Sequence, residues 1–252
     1  MTTNNRHERI LSRLNHDGRV TVDALAEELE ISAVTIRRDL ERLAETGVLR
    51  RVRGGAVGVT PASQSMPFAV RKLATPQLKE HMAAAAARMI EDGEAVAIGS
   101  GTVCFEVSRA LAGRRITVMP FSVQAAAALF GHAGTQLVLP GGWVRADEGA
   151  LLGPLAEASV HSSRFDTTIL SPYAVSVSSG VTAQDFQEAA VEKSLIEGSQ
   201  RTILVADGSK FSRSGIASVC DLTSIDVLIT DASAPPETLE ELRRRGVLVR
   251  NV

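Results

Sequence analysis

Apolar residues recur at helical spacing through the first fifty residues and then, past a polar break, gather into short solid runs. From Arg6 to Arg19, Ile10, Leu11 and Leu14 share one side of a helix that Asp17-Gly18 ends. A second helix is predicted by "TVDALAEEL", with Thr21 placed to cap it and Leu25, Ala26 and Leu29 on its inner side. Glu30-Ile31-Ser32 follows, and Ser32 is a natural cap for the next helix. There Ile36, Leu40 and Leu43 stand at i, i+4 and i+7, and Thr46-Gly47 is a stop signal. "VLRRVRGGAVGV" then reads as a short basic ribbon turning at Gly54-Gly55. Three helices and a ribbon predict a winged helix-turn-helix over residues 1–57.

Residues 58–75 open with "GVTPASQSMP", small residues and prolines that suit a linker. Over 76–252 the period changes. "AVAIG", "ITVMP", "QLVLP", "TTILSP", "TILVAD" and "DVLITD" are buried-strand-like, and helical stretches separate most of them. That alternation predicts an open, mainly parallel α/β sheet with ligands at the carboxyl ends of its strands.

Charge sharpens the picture only locally. The whole chain of 252 residues has a formal net charge of -2, which does not mark a nucleic-acid binder. Between Ser32 and Gly55, however, six Arg face three acids, and local charge is what meets a phosphate backbone. Cys104 and Cys220 are far apart without metal-type spacing, which with no signal-peptide pattern points to a reducing, cytoplasmic setting. No apolar run approaches the ~20 residues of a membrane span.

The third helix carries the candidate chemistry. At 3.6 residues per turn, Leu40 and Leu43 lie within about 40° of Ile36, while Val34, Thr35, Arg38 and Arg42 lie about 160–260° away. Arg37 sits on the flank. A charged amphipathic helix alone is more often a solvated face with local ion pairs, and Glu41 and Glu45 are at hand for them. Its place in a capped helix-turn-helix, followed by "RRVRGG", favours a recognition helix instead. Val34, Thr35 and Arg38 then face base edges, Arg37 a phosphate, Arg42 the DNA from the same outer face, and Arg50, Arg51 and Arg53 of the ribbon the backbone, with Thr21 and Ser32 at the helix starts.

The run "RHERILSRLNHDGRVTVDALAEELEISAVTIRRDLERLAETGVLRRVRGGAV" resembles the DNA-binding domain of DeoR-family bacterial transcription regulators. "AVAIGSGTVCFEVSRAL", "LPGGWV", "FDTTILSP", "AAVEKSLI", "VADGSKF" and "DVLITD" follow the order of that family's effector domain, so the likeness covers nearly the whole chain. It implies a sensor fold similar to ribose-5-phosphate isomerase, a sugar-phosphate effector, control of a carbohydrate operon, and operator DNA as partner.

Three turns carry the candidate effector site. "GSGT", Gly99 to Thr102, follows a strand and opens a helix, so Ser100, Gly101 and Thr102 can present N–H groups and hydroxyls to an anion. "PGG" brings Gly141 and Gly142 to the end of another strand. "DGSK" offers Asp207 to hydroxyls and Lys210 to phosphate. Each has a plain alternative as a tight turn or surface ion pair. Lys193 matches the family's lysine on a helix read as Glu188–Ile196. Departures are visible too: Gly99 and Val103 stand where many relatives carry Asp and Thr, and "MPFS", ending at Ser122, replaces a Thr-Asn-Ser.

The reading is a ligand-responsive repressor that needs no cofactor, has no metal site, and works as a homo-oligomer, dimer or tetramer. The alternative is an isomerase-like enzyme fused to a DNA-binding module, for which Asp207 alone makes a thin case. The five His are read as surface residues, and Trp143 either lines the pocket or packs.

Overall fold

In the computed structural model, residues 3–45, 49–58 and 68–252 are described, and they fall into two compact units, Met1–Pro76 and Gln77–Val252. The first holds helices α1 (Thr3–Asp17), α2 (Val22–Leu29) and α3 (Ala33–Glu45), with strands β1 (Arg19–Thr21), β2 (Leu49–Val52) and β3 (Gly55–Gly58). Ile10, Leu11, Leu25, Ile36, Leu40 and Leu49, all essentially inaccessible, form its core. The periodic residues of the sequence are thus the packed ones. The ribbon turns at Arg53-Gly54, one residue earlier than the glycine pair suggests, because Gly55 already pairs with Thr21 and Val52. β1 adds a third strand, in the order β1-β3-β2. Thr46-Gly47, the expected stop of α3, lies outside the described residues.

The stretch 58–75 is not linker throughout. Gly58 closes β3, and Phe68–Leu73 forms α4, which packs on α1 within the first unit. Residues 59–67 lie outside the described ones.

The second unit begins with α5 (Pro76–Ala87). β4 (Ala95–Ile98), α6 (Thr102–Leu111), β5 (Thr117–Pro120), α7 (Val123–Leu129) and β6 (Gln136–Leu137) follow. A small hairpin, β7 (Trp143–Val144) and β8 (Leu151–Leu152), leads into α8 (Pro154–His161) and β9 (Phe165–Leu170). Next come β10 (Ala174–Ser176), β11 (Gly180–Ala183), α9 (Phe186–Glu197), β12 (Ser199–Val205) and β13 (Ala217–Cys220). β14 (Val227–Thr230), α10 (Pro236–Arg244) and β15 (Leu248–Asn251) close the chain.

Seven strands build one sheet in the order β15-β14-β12-β9-β4-β5-β6, and every neighbouring pair is parallel. All six apolar runs read from the sequence belong to it. β15 was not anticipated: at the sheet edge three of its four residues are exposed and only Val249 is half-buried. From β4 the chain winds outward to β5 and β6, then returns to β9 beside β4 and winds the other way. The β4/β9 boundary is therefore a topological switch point, where an open α/β sheet leaves a crevice at its carboxyl edge. A separate antiparallel sheet, β10-β11-β13, packs on α9.

Candidate functional site

The first unit presents a basic helix face. Ser32 caps α3: the Thr35 N–H donates to its Oγ at 3.3 Å, and the two hydroxyls are 2.9 Å apart. Thr21 does the same for α2, accepting from the Ala24 N–H at 3.3 Å. With α3 so fixed, Val34 is 71% exposed, and Arg37, Arg38 and Arg42 point outward. Such an exposed apolar side chain between arginines is a cost in water and an asset against a thymine methyl.

Among the described residues, α3 shows none of the local ion pairs that a plain solvated helix would make. Glu41 is taken by Arg51, whose Nη1 donates to its Oε1 at 3.1 Å and to the Arg37 carbonyl at 3.2 Å. Arg51 is therefore a half-buried strut between β2 and α3 rather than an outward-facing arginine of the ribbon. Arg50 and Arg53 are exposed and face outward. Asp39, fully buried, accepts from Arg6 through two hydrogen bonds and lies 3.0 Å from His7 Nε2. This ion pair ties α1 to the back of α3. It corrects the reading of His7 as a surface residue, whereas His81, His132 and His161 are exposed.

In the second unit a small cavity of about 10 Å³ lies at the carboxyl edge of β4. Its walls are the Gly99-Ser100 turn, Phe121 after β5, the β8 segment Ala150–Leu152, and the α9 face of Glu188, Val191, Glu192 and Leu195. Gly101, φ 101°, caps α6 without any side-chain bond, so the first N–H groups of a ten-residue helix are left to whatever occupies the turn. A residue with a Cβ is strained at that φ, which is why the turn needs glycine. Thr102 is buried at the helix start.

Other expected residues lie elsewhere. Gly142, φ 120°, packs on Leu152, where an added Cβ would meet the Leu152 carbonyl at 2.7 Å, and the Gly141 N–H donates to Ser159 Oγ at 3.0 Å. These glycines seat the β7–β8 hairpin and do not line the cavity. Ser122 is buried as the cap of α7, accepting from the Ala125 N–H at 3.3 Å. Lys193 is exposed on the far side of α9, 3.9 Å from Glu197, because it sits about 100° around the helix from Glu192. Trp143 is half-exposed and stacks against Gly153, a packing role.

Asp207 caps the 3-10 turn Gly208–Lys210 by accepting from the Ser209 N–H at 2.9 Å. Burial works against its charge, but Lys210 and the Ser209 bonds hold the carboxyl below its ordinary range.

An acidic cluster that was not among the expected site residues adjoins the cavity. Arg145 is its hub: Nη1 binds Asp185, and Nη2 reaches Glu148 at 2.7 Å and Glu188 Oε2 at 3.3 Å. Burial disfavours the guanidinium, yet Glu188, Glu148 and Asp185 more than offset it and keep Arg145 charged. Glu188 is pushed up by burial and by its acidic neighbours, with Arg145 opposing. Glu192 is pushed further, by burial first and then by Glu188 and Glu148. Its Oε2 is buried without a hydrogen-bond partner.

Two family models divide the chain between them: the DeoR-like helix-turn-helix domain matches residues 6–62, and the DeoR C terminal sensor domain matches residues 75–232. The chain belongs to the DeoR family. This DeoR-family chain is a DNA-binding transcription regulator with a small-molecule sensor domain. It is 32% identical to the transcriptional repressor AccR of Agrobacterium fabrum, over 99% of this chain and 98% of that one. It is 30% identical to the transcriptional repressor CsqR of Escherichia coli K12, over 95% and 92%. The glycerol-3-phosphate regulon repressor of the same organism is 28% identical over 96% of each chain. Among solved structures, ribose 5-phosphate isomerase A from Methanocaldococcus jannaschii aligns over 55% of each chain at 16% identity, with a TM-score of 0.41, too loose to bear on function. Among the described residues of this DeoR-family chain, no helix is long and apolar enough to cross a membrane.

Proposed function

We propose that the regulator is a cytoplasmic repressor of a carbohydrate operon, released from its operator by a phosphorylated sugar. Val34, Thr35, Arg38 and Arg42 read base edges, while Arg37, Arg50 and Arg53 engage phosphates. One winged helix covers one half-site, so a two-fold homo-oligomer serves to read a full operator.

The observation that carries the effector reading is the start of α6. An uncapped helix N-terminus at the switch point of a parallel sheet, opening into a cavity beside Ser100, is a ready cradle for a phosphate. Lys210 supplies the nearby positive charge: its field is felt by both Asp207 and Cys104. The name of the glycerol-3-phosphate regulon repressor supports an organophosphate class. The cavity of about 10 Å³, room for about one water, is far smaller than the roughly 300–1,000 Å³ of a typical ligand site. A sugar phosphate therefore seats only when α9 and the β8 segment spread from the Gly99-Ser100 turn. A ligand that binds the spread form better shifts the equilibrium toward it, which is the coupling a regulator needs.

The test is a DNA-release titration that compares each sugar phosphate with its unphosphorylated parent. Release by phosphates alone is expected; equal release by the neutral sugars would remove the phosphate cradle. A thermal-shift screen finds the sugar first, since ligand at 100 times its Kd adds about 2.7 kcal/mol.

A second reading, isomerase-like turnover, draws on Glu192. A carboxyl raised by burial inside a ligand cavity suits proton abstraction next to a carbonyl. We favour binding without turnover, and a coupled isomerisation assay separates the two.

A further inference from the structure

Between Arg115 and Arg145 the chain carries no Asp, Glu, Lys or Arg, in a sequence that is 22% charged. That run supplies β5, α7, β6 and the first strand of the hairpin, at the end of the seven-stranded sheet where β6 is the edge. A sheet edge that faces water is usually guarded by charge. Here large apolar side chains stand instead. Val123, Phe130, Leu139, Trp143 and Val144 of the run, with Leu155 at the start of α8, are between 45% and 78% exposed. Val123, Ala127 and Phe130 stand at i, i+4 and i+7 on the outer face of α7, whose inner face buries Ala125 and Leu129. The Val123 N–H donates to the Gly149 carbonyl at 2.9 Å, which joins the start of that stripe to the hairpin. There Trp143 and Leu155 rest on glycines: an added Cβ would meet the Trp143 ring at 2.7 Å from Gly153, and Leu155 at 3.1 Å from Gly141. One side of each is fixed by packing while the other lies in water, the preorganised arrangement of an interface anchor.

Area and charge point to one occupant. A large aromatic side chain presents about 150–250 Å² in full, so six apolar side chains open to this degree leave on the order of several hundred Å². With a polar rim that approaches the roughly 800 Å² per partner of a stable complex. In a two-fold contact the same patch meets itself, so a charge near the axis would face a like charge. A face without Asp, Glu, Lys or Arg at its centre meets that condition, and the exposed Asp147 and half-buried Glu157 lie at its border. A different protein would impose no such condition, because its surface can answer a charge with the opposite one. We propose that the β6 edge is the contact between two copies of this chain, the outer face of α7 and the hairpin of one sensor unit packing on those of its partner. This rests on the two-fold reading of the operator and names the surface that makes it.

The experiment is sedimentation velocity of the full-length protein at tens of micromolar, with Trp143, the one tryptophan of the chain, as a fluorescent reporter read on dilution. Wild type should run as a dimer, or as a tetramer of two such pairs, and its Trp143 emission should move to longer wavelength as dilution frees the face. Phe130→Glu and Leu155→Glu, each placing a charge in the contact, should raise its dissociation constant a hundred-fold or more. Both side chains are largely exposed in the single chain, so the thermal midpoint of each variant should match that of fully diluted wild type. Ile216→Glu, on an equally exposed apolar residue beside β13, should assemble like wild type. If a Glu variant fails to fold, the emission of wild-type Trp143 on dilution still decides. A wild-type assembly that the folded Glu variants leave intact, or that breaks up on dilution without moving the Trp143 emission, overturns this face and keeps the two-fold reading. A wild type with the single-chain mass of 26.7 kDa and an exposed Trp143 overturns both, and leaves the face to a different protein.

Discussion

Arg51 on β2 donates to Glu41 on α3 at 3.1 Å and to the carbonyl of Arg37 at 3.2 Å, bolting the ribbon to the recognition helix. One arginine thus neutralises the acid that would otherwise pair with its outward-facing neighbours. Arg51→Ala should weaken operator binding by loosening this geometry while leaving its salt dependence unchanged. Arg50→Ala and Arg53→Ala, which remove exposed charges, should each flatten the slope of log K against log salt by about one. Binding titrations over a range of salt separate the two classes; a flattened slope for Arg51→Ala would return it to the phosphate contacts.

Arg38 stands on the exposed face of α3, opposite Ile36 and Leu40, which are completely buried. Its removal touches no core contact. Arg38→Ala should keep the thermal midpoint, cost about 1–3 kcal/mol on the specific operator, and relax base choice at one position per half-site. Selection of binding sites from a random pool reads this directly. Unchanged affinity and unchanged base choice would move recognition to another surface.

The parts of the molecule that were legible in the sequence are those where one period governs a long segment. α1 to α3 announce themselves through Ile10, Leu14, Leu25, Ile36 and Leu40, and the central strands through runs such as "TILVAD". β1 escaped notice because three residues with one buried valine carry no period. The acidic cluster escaped because its members come from separate segments: Glu148 from the hairpin, Asp185 from a helix cap, Glu188 and Glu192 from α9. A signal was nevertheless present. Glu188, Val191, Glu192 and Leu195 stand at i, i+3, i+4 and i+7, so two carboxylates share the inward face with apolar residues. Reading that face, rather than the nearest lysine, places Lys193 in solvent and Glu192 in the cavity.

Asp39 makes the DNA-binding unit acid-sensitive. Burial alone would raise its carboxyl, but hydrogen bonds from Arg6 and His7 hold it below the ordinary range. A carboxyl lowered in the folded state contributes stability above its unfolded pKa, and that contribution is lost as pH falls through the folded value. The loss begins below about pH 4, near the unfolded pKa. Denaturation of the first unit followed against pH should show it, and Asp39→Asn should remove that pH-dependent part. Asp39→Ala strands Arg6 in a mostly buried site and should cost about 3–5 kcal/mol at neutral pH. A variant as stable as wild type would mean that the pair contributes nothing net.

The two lysines of the sensor unit should behave oppositely. Lys210 lies on the turn after β12, close enough to lower the Asp207 carboxyl. Lys193 pairs at 3.9 Å with Glu197 on an exposed helix face, an interaction solvent screens to little. Loss of a charge-assisted contact to phosphate costs about 1.5–3 kcal/mol, roughly a 10- to 150-fold change in affinity. Lys210→Ala should therefore bind operator like wild type but need that much more sugar phosphate for release. Lys193→Ala should match wild type in both. Release curves for the three proteins, taken with the phosphosugar that stabilises wild type most, decide the assignment. A shift for Lys193→Ala with none for Lys210→Ala would place the anion on the outer side of α9 and empty the cradle at α6 of its role.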